Sequence, residues 1–251
     1  MPRERVVFGF HAVKSCVRQN PAQVVALYLH DERDDPRMRH LIESAAAAGL
    51  RIIMVGRERL DRLAGTTHHQ GVVATVGALE AKRDLDAILD LLTEPALLVV
   101  LDGVQDPRNL GACLRVADGF GAHAVIAPKD RSAGLTPTVA KVASGAAETV
   151  PFLAVTNLAR TLRSLQEHRI WTVGADIRGM RALSEVDLAG PTAWVLGAEG
   201  EGLRRLTRET CDELVRIPMV GAVESLNVAV ACGICLYESR RQRASPCGEA
   251  V

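Results

Sequence analysis

Surplus positive charge, a secretory leader and long apolar runs are absent from this sequence, lysine is scarce, and each shortage narrows what the chain can be. Its 251 residues carry 30 Lys and Arg against 30 Asp and Glu, so the basic excess that usually accompanies a polyanion partner is missing. The charge is uneven, however: residues 1–76 hold 11 basic and 8 acidic side chains, 77–95 hold 2 and 5, and 96–251 hold 17 of each. Only 4 of the basic residues are lysines. The rest are arginines, whose planar fork suits phosphates and guanine edges. The start MPRERVVFGF has no leader-like apolar region, and no apolar stretch approaches the roughly 18 residues of a membrane span. A cytoplasmic protein with no membrane contact is expected.

The 6 cysteines (16, 113, 211, 232, 235, 247) show no secreted-framework spacing. Cys232 and Cys235 form a C-x-x-C, but without a second ligand pair, and they fall inside the apolar run VAVACGICLY. Buried helical thiols are expected there, and no metal. No internal repeat or low-complexity segment is present. No G-x-G-x-x-G follows the apolar run LLVVLD, which argues against a dinucleotide-dependent oxidoreductase.

What is present is an α/β pattern, and 251 residues with 48% hydrophobic content favour two domains. Over residues 1–76, helix-like runs (HAVKSCVRQ, RMRHLIESAAAAG, RERLDRLAG) alternate with strand-like ones (VVALYLH, LRIIMVG, GVVATVG), as in a small α/β domain. Residues 77–95 read as a linker whose Leu85, Ile88, Leu89 and Leu92 share a helical face and predict a docked helix. From 96 to 243, LLVVL, HAVIA, ETVPF, RIWTVG, TAWVL and ELVRI alternate with helical runs, which predicts a mostly parallel sheet covered on both faces. The tail 244–251 has no apolar period and is expected to be disordered.

Three segments have the composition of strand-loop-helix junctions: DPRNLGACLR at 106–115, VLGAEGEGL at 195–203 and IPMVGAVESLN at 217–227. Loops that leave the carboxyl ends of strands in an open sheet share one edge, so Asn109, Arg115, Glu199, Ser225 and Asn227 are expected to be neighbours. Each also has an ordinary explanation. Asn109 is placed to cap the helix that bears Leu110, Cys113, Leu114 and Ala117, Ser225 or Asn227 to cap the last helix, and Arg115 to be a solvated charge. Gly197, Gly200 and Gly202 allow left-handed backbone and close approach to a flat ring, while Ile217, Met219 and Leu226 offer apolar walls.

In these segments, with VFGFHAV at 7–13 and TTHHQGVVA at 66–74, the chain resembles the SpoU branch of the SPOUT-class RNA ribose 2′-O-methyltransferases, especially the bacterial guanosine-2′-O-methyltransferases of large-subunit ribosomal RNA. The resemblance covers almost the whole chain. It implies an L30e-like RNA-binding domain, then a SPOUT α/β domain with a deep trefoil knot at its C-terminal end. It also implies S-adenosyl-L-methionine as cofactor, ribosomal RNA as substrate and a homodimer.

By that resemblance the adenosine lies against Gly197, Ile217 and Leu226; Gly202, by its backbone, and Met219, by its apolar side chain, are the further cofactor-binding candidates. Arg115 meets the ribose hydroxyl, Asn109 and Glu199 orient it, and Ser225 and Asn227 line the site. Methyl transfer to a ribose oxygen needs a held donor, an aligned hydroxyl and compensation of the developing alkoxide. Guanidinium groups keep their protons far above neutral pH, so electrostatic stabilisation and phosphate positioning suit Arg115 better than base catalysis. Glu224 departs from the family pattern, where a small hydroxyl residue is common. His68, His69 and Gln70, before a strand, are candidates for contact with an unstacked RNA loop. The competing readings are a transfer RNA or antibiotic-resistance ribose methyltransferase of the same class, and a non-catalytic ribosomal RNA-binding assembly protein.

Overall fold

The computed structural model describes residues 5–19, 21–77 and 84–244. Two compact units divide the chain, Met1–Lys82 with Ser144–Thr149, and Arg83–Ala143 with Val150–Val251. Residues 78–83 of the expected linker and 245–251 of the expected tail lie outside the described residues.

In the first unit β1 (Arg5–Phe8), β2 (Val24–His30), β3 (Ile52–Val55) and β4 (Val72–Val76) form a sheet in the order β1-β4-β2-β3. β4 is antiparallel to β1 and β2, whereas β2 runs parallel to β3. Alternate side chains face opposite sides. On one side Leu27, Leu29, Val72 and Ala74 pack with Val13 and Val17 of α1 (Phe10–Gln19) and Met38 and Leu41 of α2 (Pro36–Ala47). On the other, Val55 and Val73 pack with Leu60 of α3 (Arg57–Ala64). Asp35 starts α2 by accepting from the Arg37 and Met38 N–H groups, with Pro36 in the first turn. β1 is a strand that the sequence does not announce, since a four-residue apolar run shows no period.

The second unit holds seven strands: β5 (Leu97–Asp102), β6 (Ala124–Pro128), β7 (Phe152–Val155), β8 (Trp171–Ala175), β9 (Arg181–Ala182), β10 (Thr192–Gly197) and β11 (Glu213–Arg216). Their order is β7-β6-β5-β10-β8-β11-β9. Every pairing is parallel. All of β5 and β6 is buried, as expected for strands covered on both faces.

The helices of this unit are α4 (Leu85–Leu89), α5 (Pro107–Gly119), α6 (Pro137–Ala143), α8 (Leu158–Glu167), α9 (Arg205–Thr210) and α10 (Val228–Ala244), whereas α7 (Ala146–Thr149) belongs to the first unit. Leu158, Leu162 and Leu165 of α8 and Ile88 of α4 cover Leu98, Val100, Ala124, Ile126, Ala193 and Val195; Leu85, Leu89 and Leu92 join them, which is the linker face expected. On the opposite face α10 packs against β10 and α5. Trp194 there donates from its indole nitrogen to Ser239 Oγ at 2.8 Å.

One local expectation changes. The run ETVPF begins inside α7, because Glu148 and Thr149 close that helix and the strand starts only after Pro151, which has no N–H for a ladder. Cys113, Cys232 and Cys235 are buried, as apolar packing requires. A hydrogen bond with Cys113 together with burial pushes the Cys232 thiol up, and burial alone pushes Cys235 up, so both are protonated packing groups.

Candidate functional site

Parallel register puts Gly197 of β10 beside Asp102 of β5, and Leu196 beside Ala175 of β8. The segments that follow these strands, and the one that follows β11, therefore leave the sheet at one edge. The loop after β10 is shaped by its glycines. Gly202 has φ +65° and its N–H donates to Ala198 O at 2.9 Å, folding the loop back on the strand. At Gly197 a Cβ would stand 2.1 Å from the Gly202 carbonyl carbon, so close approach rather than left-handed backbone demands glycine there.

Asp102 holds the far end of that loop. Its side chain is fully buried, and it accepts the Arg204 N–H at 2.9 Å and Arg204 Nε at 2.6 Å. A buried carboxylate so paired is satisfied, and it ties the loop to the end of β5. An acidic residue closing an apolar strand, as in LLVVLD, is the signal that could have singled it out.

Between these loops is a cavity of about 330 Å³. All the expected cofactor residues line it: Gly197, Gly202, Ile217, Met219 and Leu226. Glu199, Ser225 and Glu224 line it as well. The sequence reading missed the wall formed by Asp176, Ile177 and Arg178 after β8, and Arg208 of α9. The pattern WTVGADIRG, a strand running into a polar turn, carried the signal for that wall.

Beside the cavity three of the expected catalytic side chains meet. Asn227 donates through Nδ2 to Asn109 Oδ1 at 3.0 Å and to Glu199 Oε1 at 2.5 Å. Its Oδ1 accepts the Ala229 N–H at 2.9 Å. Asn227 is thus the N-cap of α10 and a member of the cluster at once, and neither Ser225 nor a choice between the two roles is needed. Asn109 is not a cap. Asp106 is, accepting the Arg108 N–H at 2.8 Å with Pro107 following, so Asn109 lies in the first turn of α5 and its side chain is released to meet Asn227. With the Asn227 amide donors used, Asn109 Nδ2 and the second oxygen of Glu199 have no partner among the described residues and stay open to a ligand.

Arg115 is not brought into this cluster. It lies six residues beyond Asn109 on α5, which corresponds to roughly 9 Å along the axis and about 120° around it. Its side chain is exposed, with no hydrogen bond or ion pair among the described residues. Gly111, between them, packs α5 directly on α6: a Cβ there would stand 2.7 Å from Val142 Cβ.

In the first unit the candidate trio divides. His69 is 2% exposed. Its Nε2 pairs with Asp61 Oδ1 at 2.8 Å and its Nδ1 accepts the Gly71 N–H at 3.0 Å, so both ring nitrogens hold the loop before β4. Gln70 is exposed, and its Oε1 accepts the Phe10 N–H at 2.9 Å while its amide nitrogen stays open. His68 is exposed, and its ring pairs among the described residues with Thr66 alone, Oγ1 to Nδ1 at 3.3 Å.

The model of the SpoU rRNA methylase family matches residues 96–237. The chain belongs to that family. A second model, described as RNA 2'-O ribose methyltransferase substrate binding, matches residues 6–81 of this SpoU chain. The 23S rRNA (guanosine-2'-O-)-methyltransferase RlmB of Ralstonia nicotianae is 57% identical over 243 residues, 97% of this SpoU chain and 98% of the relative. The protein of the same description from Nitrosomonas europaea is 54% identical over 251 residues, 100% of the chain and 96% of the relative. The SpoU methyltransferase AviRb from Streptomyces viridochromogenes, solved with AdoMet, superposes with a TM-score of 0.76 at 29% identity, covering 96% of this chain and 91% of its own.

Proposed function

We propose that this chain transfers a methyl group from S-adenosyl-L-methionine to the ribose 2′-hydroxyl of a guanosine in bacterial 23S ribosomal RNA. The observation that carries the reading is the Asn109–Asn227–Glu199 cluster at the mouth of the cavity that collects all five expected cofactor residues. Full-length similarity to relatives described as 23S rRNA guanosine-2'-O-methyltransferases supports the substrate.

The residues suit the cofactor. Ile217, Met219 and Leu226 give a purine apolar walls, the glycine backbone at 197 and 202 lets it come close, and carboxylates among the lining suit its positive charge. When bound, S-adenosylmethionine supplies a methyl group activated by the sulfonium. Asn109 Nδ2 and the free oxygen of Glu199 hold the ribose in line, which by itself is worth orders of magnitude in rate. Ser225 adds a hydroxyl to the same wall. Arg115 stabilises the developing alkoxide and positions phosphate.

Since Arg115 points elsewhere on its own helix, the reading includes a homodimer in which a second copy supplies it. The stripe Val230, Ile234 and Tyr237 on α10 supports this, with Val230 51% and Tyr237 58% exposed. The deep trefoil knot belongs to the same reading, supported by β10 lying between β5 and β8 and by the return of the chain to α10. The domain assignment is 1–76 for RNA binding with an L30e-like fold, 77–95 as linker and 96–243 for catalysis. His68 and the Gln70 amide contact RNA, and His69 fixes their loop. A ribosomal RNA substrate supports a cytoplasmic location; no described helix is long and apolar enough to cross a membrane.

The test is methylation of unmodified 23S ribosomal RNA and of transfer RNA by the purified chain, with ribose methyls mapped by resistance to alkaline cleavage. One guanosine of 23S RNA should be modified, and Arg115→Ala should lower the rate at least 100-fold. Modification of transfer RNA alone, or RNA binding without methyl transfer, would overturn the reading.

A further inference from the structure

The wall of the cavity contributed by the segment after β8 contains a carboxylate whose hydrogen bonding is incomplete. The Asp176 side chain is 7% exposed, more than nine-tenths buried, and it lines the cavity. Oδ1 accepts the Arg178 N–H at 2.9 Å. Oδ2 has Arg208 Nη1 as its cation at 4.0 Å, beyond hydrogen-bond length, and no donor among the described residues. Asp102, two strands away, shows what satisfaction looks like: two nitrogens of Arg204 within 2.9 Å. Leaving a buried carboxylate oxygen without a donor is unfavourable in the empty protein, and such atoms call for a reason.

The surrounding charge supplies one. Asp176, Glu199, Glu201 and Glu224 line the cavity against Arg178 and Arg208, so four carboxylates face two guanidiniums. A concave, partly dry site with an acidic excess concentrates cations. Under the reading proposed above, the donor and the spent product share adenosine, ammonium and carboxylate groups. They differ by one methyl and one positive charge, on sulfur.

We propose that Asp176 makes the cavity discriminate by charge, holding the sulfonium donor in preference to the neutral thioether product. The inference rests on the methyltransferase reading and extends it to the release of product. Transfer of the methyl removes the charge that the carboxylate favours, so the product is held less tightly than the donor. Glu224, the departure from the family pattern, adds to the same field from the exposed rim.

Asp176→Asn isolates this role, because asparagine keeps the volume and the oxygen that accepts the Arg178 N–H while removing the charge. Calorimetric titration of the full chain with S-adenosylmethionine and with S-adenosylhomocysteine should show the variant binding the first about tenfold more weakly and the second within about twofold of wild type. Equal weakening for both, or no change for either, would overturn the proposal and leave the methyltransferase reading standing. Failure of the wild-type chain to bind either compound would overturn both. Should Asp176→Asn lower the melting temperature too far to titrate, Glu201→Gln combined with Glu224→Gln offers the same comparison from the exposed rim. A selective loss for the sulfonium ligand, about threefold, is expected there, and an unselective one counts against the proposal.

Discussion

At the amino-terminal ends of β5 and β6, Glu94 accepts from two Arg240 nitrogens at 3.0 Å each and from His123 Nε2 at 3.0 Å. Arg240 also donates to Phe120 O and Gly121 O, and Arg243 to the carbonyls of Pro95, Ala96 and Gly190. At the carboxyl ends of the same sheet, Asn109, Glu199, Ser225 and Asp176 each keep at least one polar atom without a hydrogen-bond partner among the described residues. Polar and charged side chains occupy both ends. The difference is saturation: a closed network clamps the last helix to the sheet, whereas open valences at the other end leave room for ligands.

The sharpest way to break this contrast is Asn227→Ala. Loss of its two amide donations should lower methyl transfer at least 100-fold, since Asn109 and Glu199 lose their mutual register. Stability should fall by only about 1 kcal/mol, the cost of a lost helix cap. A drop in rate matched by wholesale unfolding in urea would put Asn227 with the structural end.

Asp102 and Arg204 blur the contrast, being a closed pair at the open end, and their two deletions should differ. Arg204→Ala strips a fully buried carboxylate of its guanidinium, leaving it the backbone N–H of residue 204, and should cost about 3 kcal/mol of unfolding free energy. Asp102→Asn leaves an arginine already 40% exposed to turn into water and should cost about 1 kcal/mol. Urea midpoints of the two variants give the order directly, and a reversed order would mean that the loop does not depend on the buried charge.

The smallest effect concerns acid. Arg240 hydrogen bonds hold the Glu94 carboxyl down at about 2, so its contribution is complete above the unfolded carboxylate range near 4.3 and is lost as pH falls toward 2. Burial holds the His123 imidazole below its ordinary value, and its Nδ1 accepts the Leu97 N–H at 3.0 Å, which a proton there would break. The folded state therefore binds this proton less readily than the unfolded chain. Stability contributed by neutral His123 is present above about 6.5 and declines as pH drops below it. Melting temperatures between pH 7 and 5 should slope downward toward acid, and His123→Asn should flatten the slope. An unchanged slope would remove His123 from the clamp.

Much of the fold was legible because its signals are local. The runs LLVVL, HAVIA and TAWVL are apolar enough to read as covered parallel strands, and Leu85, Ile88, Leu89 and Leu92 announced their packed face by spacing alone. The wall of the cavity was legible for a similar reason, since glycines beside apolar residues mark a close approach. Less legible were the short β1 and β9, and the boundary at Pro151, where helix gives way to strand within the run ETVPF. Short segments carry too few residues for any period to register.

What the sequence by itself determined was the alternation of elements, the covered sheet and the loops that would carry chemistry, all consequences of apolar period and turn residues acting over a few positions. Only the tertiary structure decided that Asn227 would join Asn109 from 118 positions away, that Asp106 would take the cap and free Asn109, that His69 would turn inward to Asp61, that Arg115 would stand apart, and that Asp176 would complete the cavity wall. The reason is physical: strand register and burial fix which distant polar atoms meet and which stay unpaired, and neither is encoded in the spacing of neighbours along the chain.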